Sequence, residues 1–311
     1  MKITALAGGV GGAKLADGLA RSLSADELTV IVNIGDDFDY FGFHICPDLD
    51  TVCYTLAGMA NPDTGWGRAH ESWVVLDNIS KLGGPAWFHL GDQDIATHIE
   101  RTRRLKAGES LSQVVKAFCK AWGIRVNVLP MSDQDVRTIV QTKGLGELEF
   151  QDYFVRNLCE PEVTGFRFQG IETAMPAPGV IDAIRQADYV IICPSNPWVS
   201  IAPILSVAGI RQEIRKKVVV AVSPIIGGQA VKGPAAKMFH ELGIEASAMA
   251  VASQYKDFLK GFVLDTLDTS NIDAIKQWGI IPLVSDTLMK TIEDRKRLAT
   301  EILSFCYAIN Q

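Results

Sequence analysis

The chain has 311 residues, 48% hydrophobic and 21% charged, which suits one large α/β domain or two unequal ones around a substantial core. Its formal net charge of −6 argues against a general nucleic-acid binder, which needs a basic face. Anionic substrates would have to be met by local devices: a metal ion, backbone amides or a few basic side chains.

Residues 3–7 read as a short buried strand. Gly8-Gly9-Val10-Gly11-Gly12 follows, then helical spacing over 13–23 with Leu15, Leu19 and Leu23 on one face. Residues 28–32 are the next strand, and the β-loop-α-β order implies a parallel sheet with a right-handed crossover. Residues 33–51, NIGDDFDYFGFHICPDLDT, hold Asp36, Asp37, Asp39, Asp48 and Asp50. Carboxylates so crowded are costly without a positive partner, and Mg²⁺, which prefers oxygen ligands and bridges carboxylates to phosphates, is the natural candidate. The bland alternative is a solvated acidic loop in which Asp48 caps the next helix. Helices are expected over 51–59, 71–82, 92–106 and 111–122, the last capped by Ser110. A strand is expected at 126–129, a small hairpin from 138–142 and 148–151, and a third extended piece at 166–168. Residues 133–172 therefore read as a small α+β insertion between core segments 1–132 and 173–311. The core resumes with strands at 187–193 and 217–222, helices at 201–215 and 234–242, and a closing helix over 286–308. The alternation points to a doubly wound, mostly parallel, Rossmann-like α/β fold.

Ligands of such sheets sit beyond the carboxyl ends of the strands. Four loops at those ends, 8–14, 33–50, 194–197 and 223–228, should converge on one cleft. The first offers backbone N–H groups to phosphate at a helix N-terminus, with Lys14 in the first turn. It is neither the dinucleotide fingerprint nor a Walker loop, and a tight structural turn is the plain alternative. Ser195 and Asn196, between Pro194 and Pro197, could hold a ribose or base edge, or simply cap a helix. Ser223, Gly227 and Gly228 offer a second cradle or a turn. In HLGDQDIATH, Asp92 is placed to cap a helix, His98 to pair with Asp94 one turn away, and His89 to present its ring to a ligand. Trp66, Trp73, Trp87 and Trp122, with Tyr40, Phe41, Phe43 and Phe88, are core packing by default and a stacking surface for a flat heteroaromatic ligand otherwise. Arg101, Arg103 and Arg104 read as a solvated helix face. Six scattered cysteines lack C-x-x-C spacing, which disfavours zinc and suits a reducing cytoplasm. No signal region and no apolar run long enough to span a membrane is expected.

Taken together, AGGVGGAKLADGL, VNIGDD, CPDLDTVCYTLAG, HLGDQDIATH, LPMSD, FQDYFVR, PSNPWVSIAPILSVAGIR and AVSPIIGGQAVKGPAAKM resemble the 2-phospho-L-lactate transferase family of coenzyme F420 biosynthesis, including its phosphoenolpyruvate-using branch. The resemblance runs in order from residue 1 to about residue 290. It implies Mg²⁺-dependent transfer of a phospho-acyl unit from a guanosine-diphospho-linked donor to the ribityl hydroxyl of 7,8-didemethyl-8-hydroxy-5-deazariboflavin (FO), releasing GMP. Such a step asks the protein for positioning and charge neutralisation. The resemblance places Mg²⁺ and the catalytic role on Asp36, Asp37 and Asp50, and the acceptor against Asp50, His89 and Asp92. The donor falls to Gly9, Gly11, Gly12, Lys14, Ser195, Asn196, Ser223, Gly227 and Gly228. His89 stands where the family usually has Arg or Lys, and Gln93 stands where it has Arg. A cytoplasmic homodimer is expected. The competing reading is a nucleotide-sugar-binding regulatory protein of the same superfamily.

Overall fold

The computed structural model describes residues 1–310. Fourteen strands are present among the described residues. In chain order they are β1 (Ile3–Ala7), β2 (Leu28–Val32), β3 (Phe38–Tyr40), β4 (Phe43–Ile45), β5 (Asn127–Pro130), β6 (Arg137–Thr142) and β7 (Gly146–Glu149). There follow β8 (Val163–Gln169), β9 (Tyr189–Ile192), β10 (Val218–Val222), β11 (Ile225–Ile226), β12 (Gln229–Ala230), β13 (Gly261–Asp265) and β14 (Ile281–Ser285). Seven of them form the central sheet in the order β14-β13-β10-β9-β1-β2-β5. Every pairing in it is parallel, β1 lying in register with both β2 (Ile3 opposite Leu28) and β9 (Ile3 opposite Tyr189). The strands are short apolar runs because helices cover both faces, and Leu6, Val30, Ile31, Ile191 and Val220 are wholly buried.

Helix α1 (Gly9–Ser22) begins inside the glycine run rather than after it. It packs on α2 (Pro47–Leu56) and on the C-terminal helix (Ile292–Ala308). The last approach is close: a Cβ on Gly18 would lie 2.1 Å from the Arg295 carbonyl oxygen. Helices α3 (Val74–Lys81), α4 (Asp92–Lys106) and α5 (Leu111–Ala121) follow. The Ser110 Oγ accepts from the Gln113 N–H while the Gln113 side chain accepts from the Ser110 N–H, a capping box that fixes the start of α5. Ser110→Ala is expected to lower stability by about 1 kcal/mol, read as a shift in urea unfolding.

Two expectations change. The acidic stretch is not all loop: β3 and β4 pair antiparallel within it, because Phe38, Tyr40 and Ile45 bury against Leu90 and Ile95. The helix expected over 201–215 is broken into a wide turn at Pro197–Ile201 and two short helices, with Gly209 at φ +83° between them. The insertion is a three-stranded antiparallel sheet, β7-β6-β8. Val140, Tyr153 and Val163 pack there with Val199 and Met238 of the main body.

Candidate active site

The chain runs from β1 to β2 on one side and returns through β9 on the other. Loops leaving β1 and β9 therefore diverge and open a crevice between them. A cleft of about 670 Å³ lies there, within the range of small-molecule sites. Gly8–Gly11, Asp36, Asp48, Asp50, Asp94, His89, His98 and Lys232 contribute to its walls. Trp66, Trp87, Phe88, Phe150 and Phe154 line it as well.

The glycine turn is built for close approach. A Cβ on Gly8 would lie 2.3 Å from Asp48 Oδ2, one on Gly11 2.3 Å from the Pro194 carbonyl oxygen, and one on Gly12 2.5 Å from Ser195 Oγ. Ser195 Oγ donates to the Gly8 carbonyl (2.8 Å) and accepts from the Gly8 N–H (3.1 Å), tying the two diverging loops together. The Gly9 N–H donates to Asp48 Oδ1 at 2.6 Å. A carboxylate thus already occupies part of the positive end of α1.

Carboxylates dominate the floor. The Asn33 side-chain amide donates to Asp36 Oδ1 (3.3 Å) and Asp48 Oδ2 (3.0 Å), and Gln151 Nε2 lies 3.4 Å from Asp36 Oδ2. Burial, then the neighbouring Asp48 and Asp37, push the Asp36 carboxyl well above its ordinary value. Burial lifts Asp48 to about 6 against the hydrogen bonds from Asn33 and Gly9. Asp50 is ion-paired through Oδ1 to the buried Arg101, while its Oδ2 is buried with no partner. His98 Nδ1 lies 3.2 Å from Arg101 Nη1. Its Nε2 lies 3.4 Å from Asp94 Oδ1. Tyr54 donates to Asp94 at 2.7 Å. Burial notwithstanding, His98 and then Tyr54 hold Asp94 below its usual value.

The structure gathers some of the expected residues and disperses others. Asp36, Asp50, His89, Gly9, Gly11, Ser195 and Asn196 line the cleft. Asn196 also caps the turn that follows, accepting from the Trp198 and Val199 N–H groups. Asp37 faces a second pocket with His44, whose Nε2 is 3.4 Å from its carboxylate. Lys14 is a correction: its Nζ donates to the Met289 carbonyl at 2.7 Å and does not border the cleft. Asp92 also turns away, accepting from Ser72 Oγ and the Val74 and Val75 N–H groups at the start of α3. Ser223 is closed on Ile225, and the Gly227 N–H on Asp268. Of that loop only Pro224 reaches the cleft, and Gly12 does not border it. Arg101 is a further correction: it is buried, not solvated like Arg103. Asp94, His98 and Arg101 share one face of α4, a spacing that the sequence displays.

A doubly wound sheet with this cleft at its switch point is a ligand-binding Rossmann-like protein. Residues 3–299 match the 2-phospho-L-lactate transferase CofD family, and the chain belongs to it. It is 44% identical to a phosphoenolpyruvate transferase of Kitasatospora aureofaciens, with 98% of this chain and 97% of that protein covered. It is 42% identical to a 2-phospho-L-lactate transferase of Methanococcoides burtonii, with 96% and 97% covered. A crystal structure of a UPF0052 family member from Bacillus halodurans superposes with a TM-score of 0.64 at 14% identity, covering 97% of this chain and 99% of that one. That likeness shows the fold. The family and relatives make this chain an enzyme, a transferase of that class.

Proposed function

We propose that this chain moves a phospho-acyl unit from a guanosine-diphospho-linked donor to the terminal ribityl hydroxyl of FO, releasing GMP, in coenzyme F420 biosynthesis. The observation that carries the reading is the cleft itself: a whole-length family match whose switch-point crevice combines buried carboxylates with a wall of aromatic rings. Rings such as Trp66, Trp87, Phe88, Phe150 and Phe154 suit a flat deazaflavin. Asp50 and His89 would meet the acceptor. The glycine turn, Ser195 and Asn196 would flank the donor.

A divalent cation fits the residues present. Asp50 Oδ2 is buried without a hydrogen-bond partner, and burial holds Asp36 and Asp48 above their ordinary values, with Asp48 and Asp37 adding to it at Asp36 and Asp37 at Asp48. Asp50 and Asp94, which with His98 bring ligand atoms within 4.8 Å of one another, would hold Mg²⁺, which when bound offsets phosphate charge. The protein's own part is to orient the hydroxyl against Asp50, fix the donor and exclude water. Protons compete with the cation for raised carboxylates. Mg²⁺ is therefore expected to raise the melting temperature more at about pH 8 than at about pH 5.

Six free cysteines, with the Cys53 and Cys119 thiols hydrogen-bonded at 3.9 Å, fit a reducing cytoplasm. Trp73, Val74, Val75 and Leu82, exposed on and around α3, favour a homodimer. The test of the function is to supply FO with guanosine-diphospho-linked 2-phospholactate, phosphoenolpyruvate and 3-phosphoglycerate in turn and follow GMP release. Turnover with one of them supports the reading. GMP release from none, with a folded protein, overturns it.

A further inference from the structure

We infer that Lys232 is the side chain that meets the negative charge of the donor's diphosphate, an assignment that rests on the guanosine-diphospho reading above. Among the described residues it is the only lysine or arginine lining the cleft, against four aspartates, Asp36, Asp48, Asp50 and Asp94. The two devices visible in the sequence are already committed elsewhere. Lys14 is tied to the Met289 carbonyl, and the Gly9 N–H to Asp48. A diphosphate entering beside the glycine turn meets a buried carboxylate, so it needs a cation brought from another element.

Lys232 comes from the segment between β12 and the helix Ala235–Glu241. Its Nζ donates to the Thr64 carbonyl. Gly65 in turn sits directly on α1: a Cβ there would lie 2.6 Å from Val10 Cγ1 and 3.3 Å from Lys232 Nζ. The ammonium is therefore held next to Val10 in the first turn of α1, where a phosphate at the helix end would lie. Among the described residues Thr64 is its one hydrogen-bond partner, and an ammonium has two further N–H groups to give. A phosphate oxygen is a stronger acceptor than a backbone carbonyl. Binding would draw the 61–67 loop, which carries Trp66, and the 231–235 segment together over the phosphates.

The test is calorimetric titration of the full chain with GDP and Mg²⁺, alongside fluorescence titration with FO. Lys232→Gln is expected to weaken GDP by about ten- to a hundred-fold, the worth of a hydrogen bond to a charged group. FO affinity should fall far less than GDP affinity, and Lys232→Arg should keep most of the GDP affinity. The salt dependence of GDP binding should also flatten in Lys232→Gln. Wild-type GDP affinity in Lys232→Gln would overturn the assignment and leave the function standing. Failure of the unaltered protein to bind GDP at all would sink the guanine-nucleotide reading and this assignment with it.

Discussion

Asp36→Asn should lower transferase activity by about a hundred- to a thousand-fold, the usual loss when one charge-stabilising group leaves an active site, and should at the same time make the protein more stable. The two effects have one cause. Asp36 is 5% exposed, and burial with Asp48 and Asp37 nearby keeps its carboxyl well above the ordinary value. Its hydrogen-bond partners are two neutral amides, Asn33 and Gln151. Asn33 is fixed, because its Oδ1 accepts from the Gly35 N–H at 2.8 Å. Gln151 can turn its amide to present oxygen to the side-chain nitrogen that the substitution introduces, so no group is left orphaned. The native state binds the Asp36 proton more tightly than the unfolded chain does. Wild-type stability therefore falls as pH rises from the unfolded value through the folded one, and the variant lacks that loss. The gain in melting temperature should be small at about pH 5 and larger at about pH 8. A variant destabilised at both pH values would mean that Asp36 is a structural anchor rather than a strained functional carboxylate.

The sequence displayed the architecture better than the directions of its side chains. Strand ends, the four convergent loops and the bounds of α4 follow from local periodicity and turn residues, and α4 spans 92–106 as its sequence predicts. The C-terminal helix starts later than expected, at Ile292, because Thr291 and Asp294 form a capping box that fixes its start there. Chemistry was harder to place. Lys14 looked like a phosphate ligand from its position in the first turn, yet its direction is set by α1 lying against the segment that holds Met289. Arg101 and Arg103 are two residues apart on one helix, and only the tertiary packing around α4, with Asp50 and Phe118 beside Arg101, decides that one is buried and the other is not. Lys232 lies far in sequence from the glycine turn and reaches it through Gly65 and Val10, a proximity that no local pattern encodes.

Arg101→Met should cost about 3–5 kcal/mol of stability, the usual penalty for removing one partner of a buried ion pair. Arg101 is 2% exposed, and although burial pulls its guanidinium down, Asp50 beside it holds it above its ordinary value. Without it, Asp50 is a buried carboxylate with neither oxygen satisfied, and the His44 carbonyl and His98 Nδ1 lose their donor. Burial would then drive Asp50 to take up a proton, so destabilisation should be greatest at high pH and smaller once Asp50 is neutral. The double variant Asp50→Asn with Arg101→Met removes both charges together. It should recover a large part of the lost stability while remaining inactive, because the carboxylate at the cleft is gone. Chemical unfolding of the wild type, both single variants and the double gives the coupling energy directly. Additive losses would show that Arg101 acts through its packing on Phe118 and not by keeping Asp50 charged and aimed at the substrate.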